Sequence, residues 1–280
     1  MFETTVDTKF FETEVSNARL VVTLSDPYEI AGWLPDLASG KIRAIRVPNW
    51  RSAPECAIDV AAMEKCMAGS YAQEPTLAKG GPTVYDFEGR ENDSSEYFEQ
   101  AAVWNPVLRR ILYPRITAAD HLAAIMNETH PAGVAPEQLV AGKVPSMQVT
   151  RKFDVDSRAG AHVDRTDWDW PSNVVAASQQ ALISSLSYHQ VAEIGGELVL
   201  YGDKIDRATW IKAKIPGSPY ELDARHLNPK PIIIVPKLGE LIMFNAHLAH
   251  QVKMIVKGTR ITSSNFYAWR GIHLPLGRFA

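Results

Sequence analysis

The sequence has few cysteines, little glycine and no excess of charge of either sign. Its 2 cysteines in 280 residues are too few for a disulfide framework and lack the paired spacing of a zinc knuckle. The 29 Lys and Arg residues nearly balance 32 Asp and Glu residues, for a formal net charge of −3, whereas dedicated nucleic-acid-binding proteins usually carry a basic excess. With 17 glycines, a collagen repeat is excluded.

Long apolar runs are also missing. The runs Ile232–Val235 and Leu241–Phe244 are far shorter than the roughly 20 residues that span a bilayer. Residues 1–15 combine neither a basic region nor a continuous apolar region, so we expect no signal peptide. These features predict a cytoplasmic protein with no membrane and no nucleic-acid partner; they leave the oligomeric state open. Cys56 and Cys66 are expected to be buried small side chains.

The first half of the chain has helical patterns. Ser52 and Glu55 have the spacing of a capping box, in which each side chain bonds the other residue's backbone amide. Residues 42–47 are β-prone, and the Gly- and Pro-rich residues 74–82 are typical of a loop. The predicted helical regions are Ala53 to Met67 and Ser95 to Met126, the second interrupted at Pro106 and Pro114.

From residue 144 onward the pattern changes to short β-branched and aromatic runs separated by turn residues. Such spacing favours a sandwich or a closed barrel over alternating βαβ units. We expect a mainly β protein of one domain, with a helical layer in residues 1–140 and a β core in residues 141–280. The candidate strands are residues 147–153, 181–188, 197–201, 232–235, 240–244, 250–256 and 260–269.

One strand end contains a candidate metal site. His162 and Asp164 are two residues apart, so on an extended strand both side chains point to the same face. A second histidine, His250, begins a predicted strand downstream. Two histidines and one carboxylate on one face of an ion form the facial triad of non-haem Fe(II) oxygenases, which leaves coordination positions open.

A cation follows the second histidine at a fixed distance. Arg260 stands ten residues after His250, where the next strand returns beside it. A guanidinium at this place is suited to form a bidentate pair with the distal carboxylate of a dicarboxylic co-substrate. His247 is the rival for the third ligand position.

At this point the sequence resembles the Fe(II)/2-oxoglutarate dioxygenases of the prolyl-4-hydroxylase type, near the free-standing small-molecule hydroxylases and halogenases. The resemblance covers roughly residues 145–270. It rests on four motifs in the family's order: His162-Val163-Asp164; Tyr188-His189-Gln190 followed by Gly195-Gly196-Glu197-Leu198; Pro236 and Gly239 before Phe244; and His250 with Arg260.

The resemblance implies a double-stranded β-helix, or jelly roll, with iron at its mouth. It further implies Fe(II) ligands at His162, Asp164 and His250, and the 2-oxoglutarate C5 carboxylate at Arg260, with help from two hydroxyl groups. The implied reaction uses O2, converts 2-oxoglutarate to succinate and hydroxylates an unactivated C–H bond. Because halogenases of this group replace the carboxylate ligand with Gly or Ala, Asp164 disfavours halogenation. The two hydroxyl candidates are Tyr188 and Thr262.

The sequence differs from the family's pattern near the co-substrate site, and several residues near the substrate have two possible roles. Many relatives have a tyrosine about ten residues before the first ligand, where this chain has Lys152 and Phe153. Arg165 is a candidate to bind an acidic group of the substrate or to pair with Asp167 or Asp169. Trp168 and Trp170 either line the entrance or pack the core. Residues 207–219, with Trp50 and Tyr71, are candidates for a lid.

Three functions stay open. The first is a hydroxylase of a small molecule, such as an amino acid, an amino-acid derivative or a natural-product intermediate. The second is a peptidyl or protein hydroxylase. The third is a jelly-roll metal-binding module without oxygenase activity, which has no need of Arg260 at its observed spacing. Zinc-dependent hydrolysis fits an arginine clamp less naturally.

Overall fold

The computed structural model describes residues 20–67, 69–71, 74–87 and 94–280. The expectation of a leaderless N-terminus concerns residues that lie outside these ranges. Helices in the described residues are α1 (Ile30–Ser39), α2 (Ala53–Glu64), α3 (Ser95–Leu112), α4 (Ala118–Thr129), α5 (Thr166–Asp169), α6 (Val174–Ala177) and α7 (Arg207–Ala213). None of them is both long and apolar enough to cross a bilayer.

The protein is mainly β. Its strands are β1 (Val21–Thr23), β2 (Ala44–Val47), β3 (Gly69–Tyr71), β4 (Glu74–Gly80), β5 (Val134–Pro136), β6 (Val149–Phe153), β7 (Ala159–His162), β8 (Ala181–Gln190), β9 (Ile194–Gly195), β10 (Leu198–Lys204), β11 (Ile232–Ile234), β12 (Leu241–Asn245), β13 (Leu248–Val252), β14 (Ile255–Lys257), β15 (Arg260–Trp269) and β16 (Leu276–Phe279).

Two sheets make up most of the structure. The large sheet has the strand order β1-β2-β12-β8-β15-β6-β4-β3, with β16 also paired to β15 and β5 to β16. The small sheet has the order β11-β10-β13-β7. Apolar residues of both sheets, such as Leu186 and Phe244 of the large one and Leu198 and Ile234 of the small one, form a single buried cluster. The two sheets therefore pack on each other through a shared core.

The central strand β15 sends alternate residues to opposite faces of the large sheet, as the period of a strand requires. On one face, Phe266 joins the core between the sheets. On the other face, Tyr267 and Trp269 pack in a second cluster with residues of α1 and α4, such as Leu34 and Leu122. The helices thus cover the outer face of the large sheet, and the inner face is left for the site.

A buried polar chain attaches α2 to this outer face. Asp59 of α2 receives a hydrogen bond of 2.8 Å from Arg115, and its other carboxylate oxygen lies 3.2 Å from His189 Nδ1. His189 Nε2 lies 2.9 Å from the Ser263 hydroxyl. Buried polar groups without partners destabilise a fold. This series of polar contacts therefore holds α2 at one position on the sheet.

The capping box predicted for α2 is confirmed. The Ser52 hydroxyl accepts from the Glu55 amide at 3.5 Å, while the Glu55 carboxylate accepts from the Ser52 amide at 2.8 Å. The helix then ends at Glu64, before the predicted Met67. Both cysteines are free and buried, as expected.

The first half departs from the helical prediction in two ways. Residues 74–80, predicted as a loop, form strand β4, because the edge of β6 offers a partner and Leu77 lies opposite Phe153. Strand β1 also extends the large sheet beside β2, whereas β2 itself lies within residues 42–47, for which the β-prone prediction is confirmed. Second, α3 continues through Pro106, because its buried stripe, which includes Tyr97 and Leu108, keeps it packed on the core despite the missing amide.

Candidate active site

Strand pairing brings the two candidate histidine ligands together. In the small sheet, His250 of β13 lies directly opposite His162 of β7, and their ring centroids are 4.2 Å apart. Asp164 follows β7, and its amide donates to the Ala246 carbonyl at 2.8 Å. Its carboxylate oxygens lie 3.6 Å from His162 Nε2 and 3.5 Å from His250 Nε2. Within the described residues these three side chains form the group able to hold a metal ion.

Backbone carbonyls orient both imidazoles. His162 Nδ1 lies 2.7 Å from the Gly160 carbonyl, and His250 Nδ1 lies 3.0 Å from the Leu248 carbonyl. A carbonyl only accepts, so each Nδ1 carries the proton and each Nε2 keeps its lone pair. Hydrogen bonds of this kind fix the tautomer and ring direction of metal-binding histidines. Both lone pairs thus point toward the carboxylate.

The site has the protonation state that metal binding requires. Burial, followed by the charge of His250, lowers the pKa of His162 to about 4. Burial alone would raise the pKa of Asp164, but its interactions with His250, His162 and Arg151 outweigh burial and lower the pKa to about 2. Near neutral pH, His162 is therefore neutral and Asp164 is ionised, as a metal ligand must be.

The rival ligand His247 lies outside this group. It is buried, with 7% of its surface exposed, and its Nε2 has no hydrogen-bond partner among the described residues. Burial, together with the charge of Arg165, lowers its pKa to about 4. His247 is therefore a neutral core histidine.

A buried cation occupies one end of the cavity beside the triad. Arg260 has 1% of its surface exposed and makes long hydrogen bonds of 3.3 Å to the Gly196 carbonyl and the Tyr188 hydroxyl. Its guanidinium also stacks over the Phe153 ring at 4.8 Å. No carboxylate of the described residues lies within ion-pair distance of it, and its Nε has no hydrogen-bond partner there.

The surroundings of Arg260 are therefore incomplete without an anion. The Thr262 hydroxyl is also buried without a hydrogen-bond partner among the described residues, and it lines the same cavity. A buried charge without a counter-ion costs several kcal/mol (on the order of 3–5). Arg260, Thr262 and Tyr188 thus form a cradle whose unpaired donors suit a carboxylate.

The candidates on the substrate side divide into cavity and core residues. Arg165 and Trp168 both line the cavity. Arg165 pairs with Asp167 through two hydrogen bonds of 2.8 and 2.7 Å and stacks over Trp168 at 4.5 Å. Trp170 is in the core, with 1% of its surface exposed. A role of Arg165 in substrate binding stays a prediction.

Some of the lid candidates line the cavity, among them Trp210 and Tyr71. Trp168 of α5 meets Trp210 of α7 with ring centroids 6.0 Å apart, and Arg207 donates to the Trp168 carbonyl at 3.4 Å. Trp50 does not belong to this group, because it stacks on His121 at 4.5 Å in the helical layer.

Several cavity residues were not predicted from the sequence. Arg151 and Tyr85 line the cavity with the triad. The only signal for Arg151 was its position in the predicted strand 147–153, two residues before Phe153. Tyr85 had no such signal, because it comes from a short turn in the first half of the chain.

Comparison with known proteins rests on structure. No protein-family model and no curated sequence matches the chain. The structure is similar to an N-substituted L-amino acid dioxygenase from Burkholderia ambifaria AMMD solved in complex with 2-oxoglutarate, with a TM-score of 0.60 and 15% sequence identity, covering 90% of this chain and 91% of that one. The fold is that of a 2-oxoglutarate dioxygenase. The resemblance inferred from the sequence is thereby confirmed at the level of the fold.

A second solved structure has the same fold at lower similarity. It is HygX from Streptomyces hygroscopicus with nickel and 2-oxoglutarate bound, with a TM-score of 0.50 and 11% identity, covering 85% of each chain. At sequence identities this low, the similarity between the structures concerns the backbone fold alone.

Proposed function

We propose that this protein is an Fe(II)/2-oxoglutarate-dependent dioxygenase that hydroxylates an unactivated C–H bond of a small molecule. Two imidazole nitrogens and one carboxylate suit Fe(II) and leave positions open for a chelating co-substrate. Bound Fe(II) would supply the activation of O2 that is coupled to conversion of 2-oxoglutarate to succinate. The residues of the chain bind and orient the participants and exclude water.

The observation that carries the proposal is the buried Arg260 beside the triad, which has no acidic partner. In this proposal its guanidinium holds the distal carboxylate of 2-oxoglutarate, and Tyr188 and Thr262 complete the contact. A binding module without oxygenase activity would need the metal ligands alone. The presence of the anion cradle in the same cavity favours the enzyme.

The contact between α5 and α7 beside the cavity favours a small substrate over a peptide. The Trp168–Trp210 contact joins α5 to α7 at the cavity, whereas a protein substrate needs an open groove. The similar dioxygenase from Burkholderia ambifaria is named for N-substituted L-amino acids, which are also small molecules. We further propose that the two packed sheets are a double-stranded β-helix and that residues 1–280 form one oxygenase domain.

The test removes the charge of the anion cradle and leaves the metal ligands in place. We expect Arg260→Gln to weaken 2-oxoglutarate binding about 10- to 100-fold, the range for hydrogen bonds to a charged group, and to abolish succinate formation. Metal binding should persist. Lys152→Gln, a change on the neighbouring strand β6 at a side chain that pairs with Glu64, is the control.

The readouts are calorimetric titration with 2-oxoglutarate in the presence of Zn(II), and succinate formation by the anaerobically Fe(II)-loaded protein after O2 is admitted. If the wild-type protein binds metal but neither binds 2-oxoglutarate nor produces succinate, the oxygenase proposal is wrong. The metal-binding module then takes its place.

A further inference from the structure

A second arginine lies on the cavity face of the large sheet. Arg151 of β6 is directly opposite Thr262 of β15 on one side and Lys79 of β4 on the other. Directly opposed residues have their side chains on the same face of a sheet. Arg151 therefore shares the face of Thr262, and it lines the cavity with the triad.

No carboxylate of the described residues lies within ion-pair distance of the Arg151 guanidinium, although the charge of Asp164 acts on it from a longer distance. Its Nε donates to the Tyr71 hydroxyl at 2.7 Å, but its two terminal nitrogens have no hydrogen-bond partner among the described residues. Neighbouring cations are different: Lys79 pairs with Asp86, and Arg165 with Asp167. Because the environment neutralises those cations and leaves Arg151 unpaired, Arg151 is suited to bind an anion from outside.

Two tyrosine hydroxyls complete the surroundings of this cation. The Tyr85 hydroxyl is buried without a hydrogen-bond partner among the described residues, and Tyr85 lines the cavity. The Tyr71 hydroxyl accepts from Arg151, and Tyr71 lines the cavity as well. A buried polar group without a partner needs an explanation, and a bound ligand is one.

The two arginines are separate sites. Arg260 is opposite Phe153 and Thr262 is opposite Arg151, so Arg151 lies two residues further along the sheet than Arg260. Two residues of a strand span about 6.6 Å, which leaves room for a second carboxylate beside the one assigned to Arg260.

We propose that Arg151, together with Tyr71 and Tyr85, binds a carboxylate of the substrate, so that the substrate is a small organic acid with an apolar body. This inference rests on the proposed function and names its substrate class. The apolar body would lie against the nonpolar cavity residues Leu77, Phe153, Leu186, Leu198, Val252 and Trp210.

The experiment compares carboxylic acids with their own primary amides, which have nearly the same shape but no charge. The probes are hexanoate, 3-phenylpropanoate and N-acetyl-L-leucine, each paired with its amide. Binding is measured by calorimetry and by thermal shift, with and without Zn(II) and 2-oxoglutarate, so that no turnover is needed. The proteins are wild type, Arg151→Gln and the control Lys152→Gln, which alters the adjacent residue of β6.

The expected result is a preference of the wild-type protein for at least one acid over its amide by about 10- to 100-fold. Arg151→Gln should remove this preference, Lys152→Gln should keep it, and 2-oxoglutarate affinity should be unchanged in both. If no acid is preferred, or if Arg151→Gln keeps the preference, the proposal is overturned.

Two further outcomes separate the sources of the carboxylate. If Arg151→Gln weakens 2-oxoglutarate binding and leaves the acid preference intact, Arg151 holds the co-substrate and the substrate assignment is wrong. If the wild-type protein prefers acids but does not bind 2-oxoglutarate, the dioxygenase proposal fails while the acid site stands.

A second variant tests the proposal should Arg151→Gln fail to fold. Tyr85→Phe removes only the unpaired hydroxyl, and we expect it to reduce the acid preference by about two- to tenfold, the range for a neutral hydrogen bond. An unchanged preference in a folded Tyr85→Phe protein would remove Tyr85 from the site and contradict the three-residue subsite.

Discussion

Histidines in this protein differ in role because of the partners that surround each ring. His162 and His250 each have one nitrogen on a backbone carbonyl and the other toward Asp164. His247, only three residues before His250, has a buried nitrogen without a partner among the described residues and lies outside the metal-binding group. The residue type is the same, but His250 lies in β13 whereas His247 lies in the turn between β12 and β13, so the two rings have different surroundings.

This difference gives a prediction for metal binding. His162→Ala should weaken Co(II) binding by more than the roughly 10- to 100-fold that the loss of an outer-shell partner costs, because it removes one of three ligands. His247→Gln should bind Co(II) as the wild type does. Titration followed by the visible absorption of Co(II) measures both variants, and a large loss in His247→Gln would contradict the ligand set.

At the scale of elements, the chain from Asp59 through His189 to Ser263 has the residue types of a hydrolytic triad. Ser263 has 2% of its surface exposed and His189 also 2%, and neither lines the cavity. A nucleophile has to reach its substrate. These three residues therefore form a structural link between α2 and the large sheet.

If these contacts are structural, removing one of them should lower the stability of the protein without changing catalysis. Ser263→Ala leaves His189 Nε2 without its partner, so the free energy of unfolding should fall by about 1–3 kcal/mol, as measured by urea denaturation. The exposed Ser39→Ala should change it by less than about 0.5 kcal/mol. Labelling of Ser263 by a fluorophosphonate in the folded protein would show that the serine is reachable and reactive, against this interpretation.

The residues of the candidate site whose positions follow from short sequence spacings are predictable from the sequence. His162 and Asp164 were predictable because a strand repeats every two residues, and Arg260 was predictable from its distance to His250. Arg151 joins Thr262 only through the pairing of β6 with β15, which connects residues about a hundred positions apart. Such a register is set by tertiary packing, so the composition of β6 alone does not reveal it.

The same limit applies to the first half of the chain. Residues 74–80 contain the turn-forming glycine and proline that indicate a loop, yet they form β4 because an edge of β6 was available. The cap of α2, by contrast, depends only on residues 52 and 55 and was predicted correctly. A sequence pattern predicted the structure correctly where the interacting residues are close together in the sequence.

For the whole molecule, burial of imidazoles makes stability depend on pH. The pKa values of His162 and His247 are lowered from 6.5 to about 4, chiefly by burial. Between pH 6.5 and 4 the unfolded chain thus binds more protons than the native one, so stability falls as the pH falls through this range. The lowered pKa of Asp164, about 2 against 3.8, adds a further loss at lower pH.

Thermal unfolding of the metal-free protein between pH 7.5 and 4.5 measures this dependence. We expect the midpoint temperature to decrease steadily below pH 6.5, and His247→Gln to have a shallower decrease because one of the buried imidazoles with a lowered pKa no longer titrates. A flat profile in the wild type would mean that these imidazoles are protonated in the native state.

The position of β15 has a consequence for synthesis. This strand comes from residues 260–269 of 280, yet it lies in the middle of the large sheet, between β8 and β6. The early strands β1 to β4 therefore leave the ribosome long before the sheet that receives them is complete, and pairings of such high sequence separation form slowly. Until β15 pairs with them, the facing edges of β8 and β6 are available to other chains, so we expect refolding from denaturant to lose yield to aggregation as the protein concentration rises.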